Sequence, residues 1–191
     1  MHSRGWVPAT SGNFSVRMSN GNILITTSGI HKGKMTDDDI MLISGDGKPL
    51  LISNKNTNIR KKPSAETMLH VQIYQQFQEA RCVLHPHSVY ATILSRTRKD
   101  EIRLQDYELL KAFPGIDSHE SAVRVPIFKN DQDIPRLSQE VAAYLNQGNP
   151  VFGYLIEGHG FYTWARTVDE CLKQVEAFEF LFQCEYMMKT N

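Results

Sequence analysis

His85-Pro86-His87 restricts this chain's fold more than any other segment. Two imidazoles two residues apart in an extended segment point to the same side. Pro86 between them favours an extended backbone and limits their motion. A third ring from far along the chain would complete a set of nitrogen ligands. His159 is suited to this, because Gly158 and Gly160 on either side let backbone and ligand approach closely. Three imidazole nitrogens with a fourth position open form the ligand set of a catalytic zinc site. Imidazole also accepts other divalent transition metals, so the pattern leaves the metal's identity open. Cys82 lies three residues before His85, but in a strand the two side chains point to opposite faces, which argues against a fourth ligand there. His2, His31, His70 and His119 have no such pattern and read as ordinary residues, although His70 lies one turn beyond Glu66 and could stand behind a ligand.

The chain has 191 residues, which fits a single domain spanning 1–191. A chain of this length buries about 70% of its unfolded surface and needs no disulfide to hold a core. Lys plus Arg and Asp plus Glu both number 21, so the basic footprint of a nucleic-acid binder is missing. The three cysteines are odd in number and irregularly spaced, which points to a reducing, cytoplasmic setting. No apolar run approaches the length of a membrane span, and no signal peptide opens the sequence.

Alternation at Phe14, Val16 and Met18, then Asn20-Gly21 and Ile23-Leu24-Ile25, predicts a β-hairpin. Met41–Ile43 and Pro49–Ile52 around Gly45-Asp46-Gly47 predict a second, and Thr36 caps a short turn before it. A helix is expected from Pro63-Ser64, with a buried stripe of Ala65, Leu69, Ile73 and Phe77. Cys82–Leu84 is a strand, and Tyr107–Lys111 belongs to a helix. Val123–Ile127 is a strand near an edge because of Pro126. Leu137, Val141 and Leu145 mark a further helix, and Val151–Ile156 and Phe161–Trp164 are strands joined at His159. Thr167-Val168-Asp169-Glu170 is a capping-box sequence opening a last helix with the stripe Cys171, Val175, Phe178 and Phe182. Close hairpin turns argue for antiparallel pairing. The expected architecture is a three-layer α/β/α domain with a mostly antiparallel sheet covered by helices on both faces.

Three further segments are suited to holding a phosphate if they converge. These are Thr10-Ser11-Gly12-Asn13, Thr27-Ser28-Gly29 with Lys32, and Pro63-Ser64-Ala65-Glu66. Glycines expose backbone N–H groups, hydroxyls donate, and a helix N-terminus at Ser64 adds the positive end of its dipole. Singly, each is an ordinary loop composition. Glu66 and Glu108 are the carboxylate candidates for proton transfer. Most helix glutamates are simply solvated, and Glu66 stands out by following the phosphate segment directly.

In this order, Ala9–Asn13, Thr27–Gly29, Pro63–Glu66, His85-Pro86-His87-Ser88 and Gly158-His159-Gly160 resemble the class II aldolase/adducin family over nearly the whole chain. The resemblance implies zinc at His85, His87 and His159, and phosphate binding by Gly12, Asn13, Ser28, Gly29 and Ser64, with Lys32 beside them. It implies a homotetramer with active sites between neighbouring subunits, acting on a small sugar phosphate. Gly5–Thr10, Lys62–Thr67, Gln105–Lys111 and Glu176–Phe182 bring the chain closest to a branch that dehydrates a methylthio-substituted 2-keto sugar 1-phosphate. An aldolase of the fuculose or ribulose phosphate type is the alternative, and an adducin-like interaction module without chemistry is the alternative of another class. Glu66 matches the acid/base glutamate of the family's aldolases and Glu108 that of its dehydratases; we favour Glu108 for proton transfer and Glu66 for positioning metal or substrate. Phe113 and Tyr162 are candidates for the pocket of the substrate's apolar end. The family's N-terminal helix is expected to be missing, with Met1 to Arg4 alone before the Gly-Trp segment. Gly158 replaces a common asparagine, and Ala165 a glycine.

Overall fold

Eight strands and four α-helices make up the computed structural model, which describes residues 1–50, 61–148 and 150–189. The strands are β1 (Asn13–Arg17), β2 (Ile23–Thr26), β3 (Ile40–Ile43), β4 (Cys82–His85), β5 (Glu101–Gln105), β6 (Ala122–Phe128), β7 (Gly153–Ile156) and β8 (Gly160–Ala165). The helices are α1 (Thr67–Gln76), α2 (Val89–Thr97), α3 (Ile134–Leu145) and α4 (Val168–Lys189).

The expected first hairpin is present. β1 and β2 pair antiparallel, and Gly21 takes the left-handed φ of 85° that its turn requires. Of the second hairpin, β3 pairs with β2 and Pro49 bridges back to Ile43. Leu51 and Ile52 lie outside the described residues. The sheet runs β3-β2-β1-β4-β8-β7-β6-β5. Among these neighbours only β6 and β7 are parallel, so the sheet is mixed but dominated by antiparallel pairs. β6 stands one strand in from the edge, and Pro126 is accommodated because β6 pairs with β7 only at Ile127 and Phe128.

Alternation along β4 divides the core. Cys82 and Leu84 join a cluster with Ala91 and Leu94 of α2 and Val175, Phe178 and Phe182 of α4. Val83 joins the other, with Leu69 and Ile73 of α1 and Leu137 and Val141 of α3. The stripes expected for α3 and α4 are the buried ones. Thr167 caps α4 by accepting from the Glu170 backbone N–H at 3.1 Å.

Two expectations need correction. The helix expected at Pro63 starts at Thr67, because Pro63 is bridged to Thr27 and the Ser64 N–H donates to Thr26 O, continuing the end of β2 instead. Ala65 is therefore exposed rather than part of the stripe. The Tyr107–Lys111 segment is a short 3-10 helix over Glu108–Ala112. The sequence reading also passed over α2 and β5. α2 is rich in β-branched residues and buries only Ala91, Leu94 and Ser95, so its helical stripe is faint.

Candidate metal centre

The centre of the sheet delivers the histidines. His85 ends β4, and the chain continues through Pro86 to His87 before Ser88 caps α2, accepting from the Ala91 N–H. His159 sits in the turn between β7 and β8. The two segments cross closely: the Phe161 N–H donates to Pro86 O at 3.2 Å. A Cβ on Gly160 would overlap the Pro86 carbonyl and come within 3.1 Å of His87 Cδ2, so only glycine fits there. Gly158 takes a φ of +64°, a conformation that glycine adopts freely and asparagine tolerates.

Glu66 reaches the same point from the N-cap position of α1. One ligand atom each from Glu66, His85, His87 and His159 fall within 4.8 Å of one another. The Nε2 atoms of His85 and His87 are 2.8 Å apart. Glu66 Oε2 lies 3.4 Å from His85 Nε2, and Glu66 Oε1 lies 3.4 Å from His159 Nε2. His85 donates its Nδ1 proton to Phe161 O at 2.8 Å, which leaves Nε2 bare for a ligand role. Glu66 Oε1 is buried without a hydrogen-bond partner. Burial, reinforced by the charge of His159, holds His85 well below the usual imidazole range. Burial and then the His85 and His159 charges push His87 down to about 2. Both rings therefore stay neutral, the form that ligates. Ring nitrogens converging on an unpaired buried carboxylate oxygen fit a divalent cation.

The phosphate candidates converge as the motifs require. Gly12, Asn13, Ser28, Gly29, Lys32 and Ser64 line one cavity of about 380 Å³ together with Glu66, His87 and His159. Lys32 is held by Thr10 O at 3.2 Å and Ile30 O at 3.0 Å, and burial lowers its pKa. Asn13 donates its amide to Glu66 Oε2 at 2.6 Å. Asn130, Asp131 and Gln132, between β6 and α3, form a wall that no motif announced. Cys82 is buried on the α4 side and stays out of the cluster.

Glu108 does not line this cavity within its own chain. Its side chain is 75% exposed and paired with Lys111 at 2.7 Å. Phe113 is core, packed against Phe152 and Phe178, and does not line the cavity. Tyr162 is also buried; it stacks under His85 with centroids 3.9 Å apart and supports the ligand instead of a substrate.

The family described as "Class II Aldolase and Adducin N-terminal domain" matches residues 1–186. A methylthioribulose-1-phosphate dehydratase of Methylococcus capsulatus is 51% identical over 185 residues, covering 97% of this chain and 87% of the relative. One of Pseudomonas syringae pv. tomato is 50% identical over 191 residues, covering 100% and 90%. Among solved structures, an L-fuculose-1-phosphate aldolase from Thermus thermophilus superposes with a TM-score of 0.75 at 23% identity, over 99% of this chain and 88% of that one. YgbL of Escherichia coli, titled a putative aldolase/epimerase/decarboxylase, gives a TM-score of 0.79 at 20% identity, over 98% and 83%. These structural likenesses establish the fold.

Proposed function

The chain belongs to the class II aldolase and adducin family, and from that premise we propose that it is a hydro-lyase of methionine salvage. It dehydrates 5-methylthioribulose 1-phosphate to 2,3-diketo-5-methylthiopentyl 1-phosphate. One observation carries the choice of reaction: 51% identity, over 97% of the chain, to a relative named for it. The cavity supports it with a cation site beside a phosphate-sized group of donors.

In this reading His85, His87 and His159 hold zinc, and Glu66 ligates it or orients the substrate. Bound there, the cation supplies Lewis acidity to the substrate's C2 carbonyl and C3 hydroxyl. Gly12, Asn13, Ser28, Gly29 and Ser64 hold the 1-phosphate. Lys32 has spent two of its three ammonium donors on carbonyls, leaving one and its charge for the phosphate. Glu108 carries the proton traffic. It takes the C3 proton, the C–H electron pair forms the C3–C4 double bond, and the C4 hydroxyl departs, protonated, as water. The C3 enol then becomes a ketone as C4 gains a proton. Such a general acid/base is typically worth roughly 10²–10⁴-fold. Glu108 is exposed and does not line its own chain's cavity; in this reading it serves the site of a neighbouring subunit in a homotetramer.

The whole chain, residues 1–191, acts as one domain in the cytoplasm, where its three cysteines remain thiols. No helix among the described residues is long and apolar enough to cross a membrane. An interaction module without chemistry would leave the four converging ligand groups without a purpose.

The test is NMR of methylthioribulose 1-phosphate incubated with zinc-loaded protein, beside a chelated control. The diketone should form only with metal. Dihydroxyacetone phosphate and an aldehyde would mark an aldolase instead and move proton transfer to Glu66.

A further inference from the structure

We propose that His70 is a positioning residue for the metal centre: its Nε2 proton fixes the side-chain amide of Asn13 so that the amide nitrogen faces Glu66. This inference rests on the reading of Glu66 as a metal-facing carboxylate.

Hydrogen-bond chemistry forces the direction of the chain. An ionised carboxylate only accepts, so the atom of Asn13 that lies 2.6 Å from Glu66 Oε2 must be the amide nitrogen. The amide oxygen then turns to the His70 ring, where it is in contact with Nε2. An amide oxygen only accepts, so Nε2 must carry a proton. Burial, opposed in part by the Glu66 charge, pushes the His70 imidazole down to about 4, which keeps it neutral. A neutral ring with Nε2–H has a bare Nδ1, which accepts from the Ser15 hydroxyl at 2.7 Å. Ser15 Oγ in turn accepts from the Tyr74 hydroxyl at 2.9 Å. Each proton points one way, from Tyr74 through Ser15, His70 and Asn13 to Glu66.

The four donors of this chain are shielded from water. His70 is 0% exposed, Ser15 and Tyr74 2%, and Asn13 5%. In that setting a wrongly turned amide has no solvent to satisfy it and would place two acceptors face to face. The chain therefore holds one Glu66 oxygen, Oε2, while Oε1 stays without a hydrogen-bond partner beside His159. Asn13 keeps a second amide proton and lines the phosphate cavity, so the same lock sets the geometry on both sides of the site. His70 touches neither cation nor substrate in this scheme; it acts through Asn13.

A packing role alone is the competing account, since the ring also meets Tyr162 edge-on at 5.5 Å. Two variants of similar bulk separate them. His70→Gln can still offer an N–H to Asn13; His70→Leu cannot. Zinc affinity is measured by competition with a chelator, and the ring tautomer by ¹⁵N NMR of the zinc-loaded wild-type protein, with the resonance assigned by its loss in His70→Gln. The expected results are protonated Nε2 with bare Nδ1, affinity weakened roughly 10–100-fold in His70→Leu, and most of it regained in His70→Gln. A proton on Nδ1, or a glutamine variant no better than the leucine one, overturns the proposal. The wild-type spectrum decides even if both variants fold poorly, because the His70 ring can then be assigned through the bonds that connect it to its own backbone resonances. Neither readout needs a substrate. If zinc binds and Nε2–H is seen but no diketone forms, the dehydratase reading falls and this one stands; turnover with Nδ1–H does the reverse.

Discussion

Gly160 shows how little room one residue has at this centre. A Cβ there would push against the carbonyl of Pro86 and the ring of His87, and the rigid His-Pro-His segment cannot yield without moving two of the clustered imidazoles. Gly160→Ala should therefore cost about 1–3 kcal/mol in stability, the usual range for overpacking. It should lower zinc affinity by more than a nearby control such as Ala165→Gly. Thermal unfolding and metal content after dialysis check both; full zinc occupancy with an unchanged melting temperature would refute the crowding argument.

At the scale of elements, α4 carries a buried carboxyl that couples stability to pH. Glu179 is 5% exposed, and burial raises its carboxyl to about 7, with the Ser88 hydroxyl pulling part of the way back. An unfolded chain releases that proton near the ordinary glutamate value of 4.5. Between those values the folded state binds more protons than the unfolded one, so stability falls as pH rises through the window. Glu179→Gln should flatten that fall and be the more stable protein at pH 8. Urea unfolding at pH 5 and pH 8 measures the difference, and an equal pH slope in both proteins would mean Glu179 is ionised throughout. α1 illustrates a second effect at this scale. Its start is set by the bridge of Pro63 to Thr27, so Ser64 joins the cavity from a turn and Glu66 becomes the helix boundary.

The whole molecule has to explain Glu108. One chain brings Glu66 and the three histidines together and gathers the loop donors around one cavity, but leaves this carboxylate on an exposed 3-10 helix. If a neighbouring subunit supplies it, two inactive proteins should rescue each other. Glu108→Gln should retain zinc and lose turnover, and His159→Ala should lose zinc. Unfolded together and refolded as mixed oligomers, they should regain part of the activity that neither has alone. Mixed oligomers with no activity would return Glu108 to its own chain's chemistry or remove it from the reaction.

Much of this site was legible in the sequence because its parts are local backbone devices. His-Pro-His in an extended segment, glycines around His159 and Ser-Gly pairs in loops each need only their own few residues to declare themselves. The hairpin at Asn20-Gly21, the α4 cap at Thr167 and the stripes of α3 and α4 were legible for the same reason. Tertiary structure alone decided what depends on distant residues meeting. It brought Asn130, Asp131 and Gln132 to the cavity wall and turned Tyr162 from a pocket candidate into the support under His85. It also delayed α1 to Thr67 and joined Ser15, His70 and Asn13 into one chain of protons. A motif records which atoms can donate, accept or ligate; which partner each one finds depends on strand register and packing across the sheet, and those are properties of the folded chain.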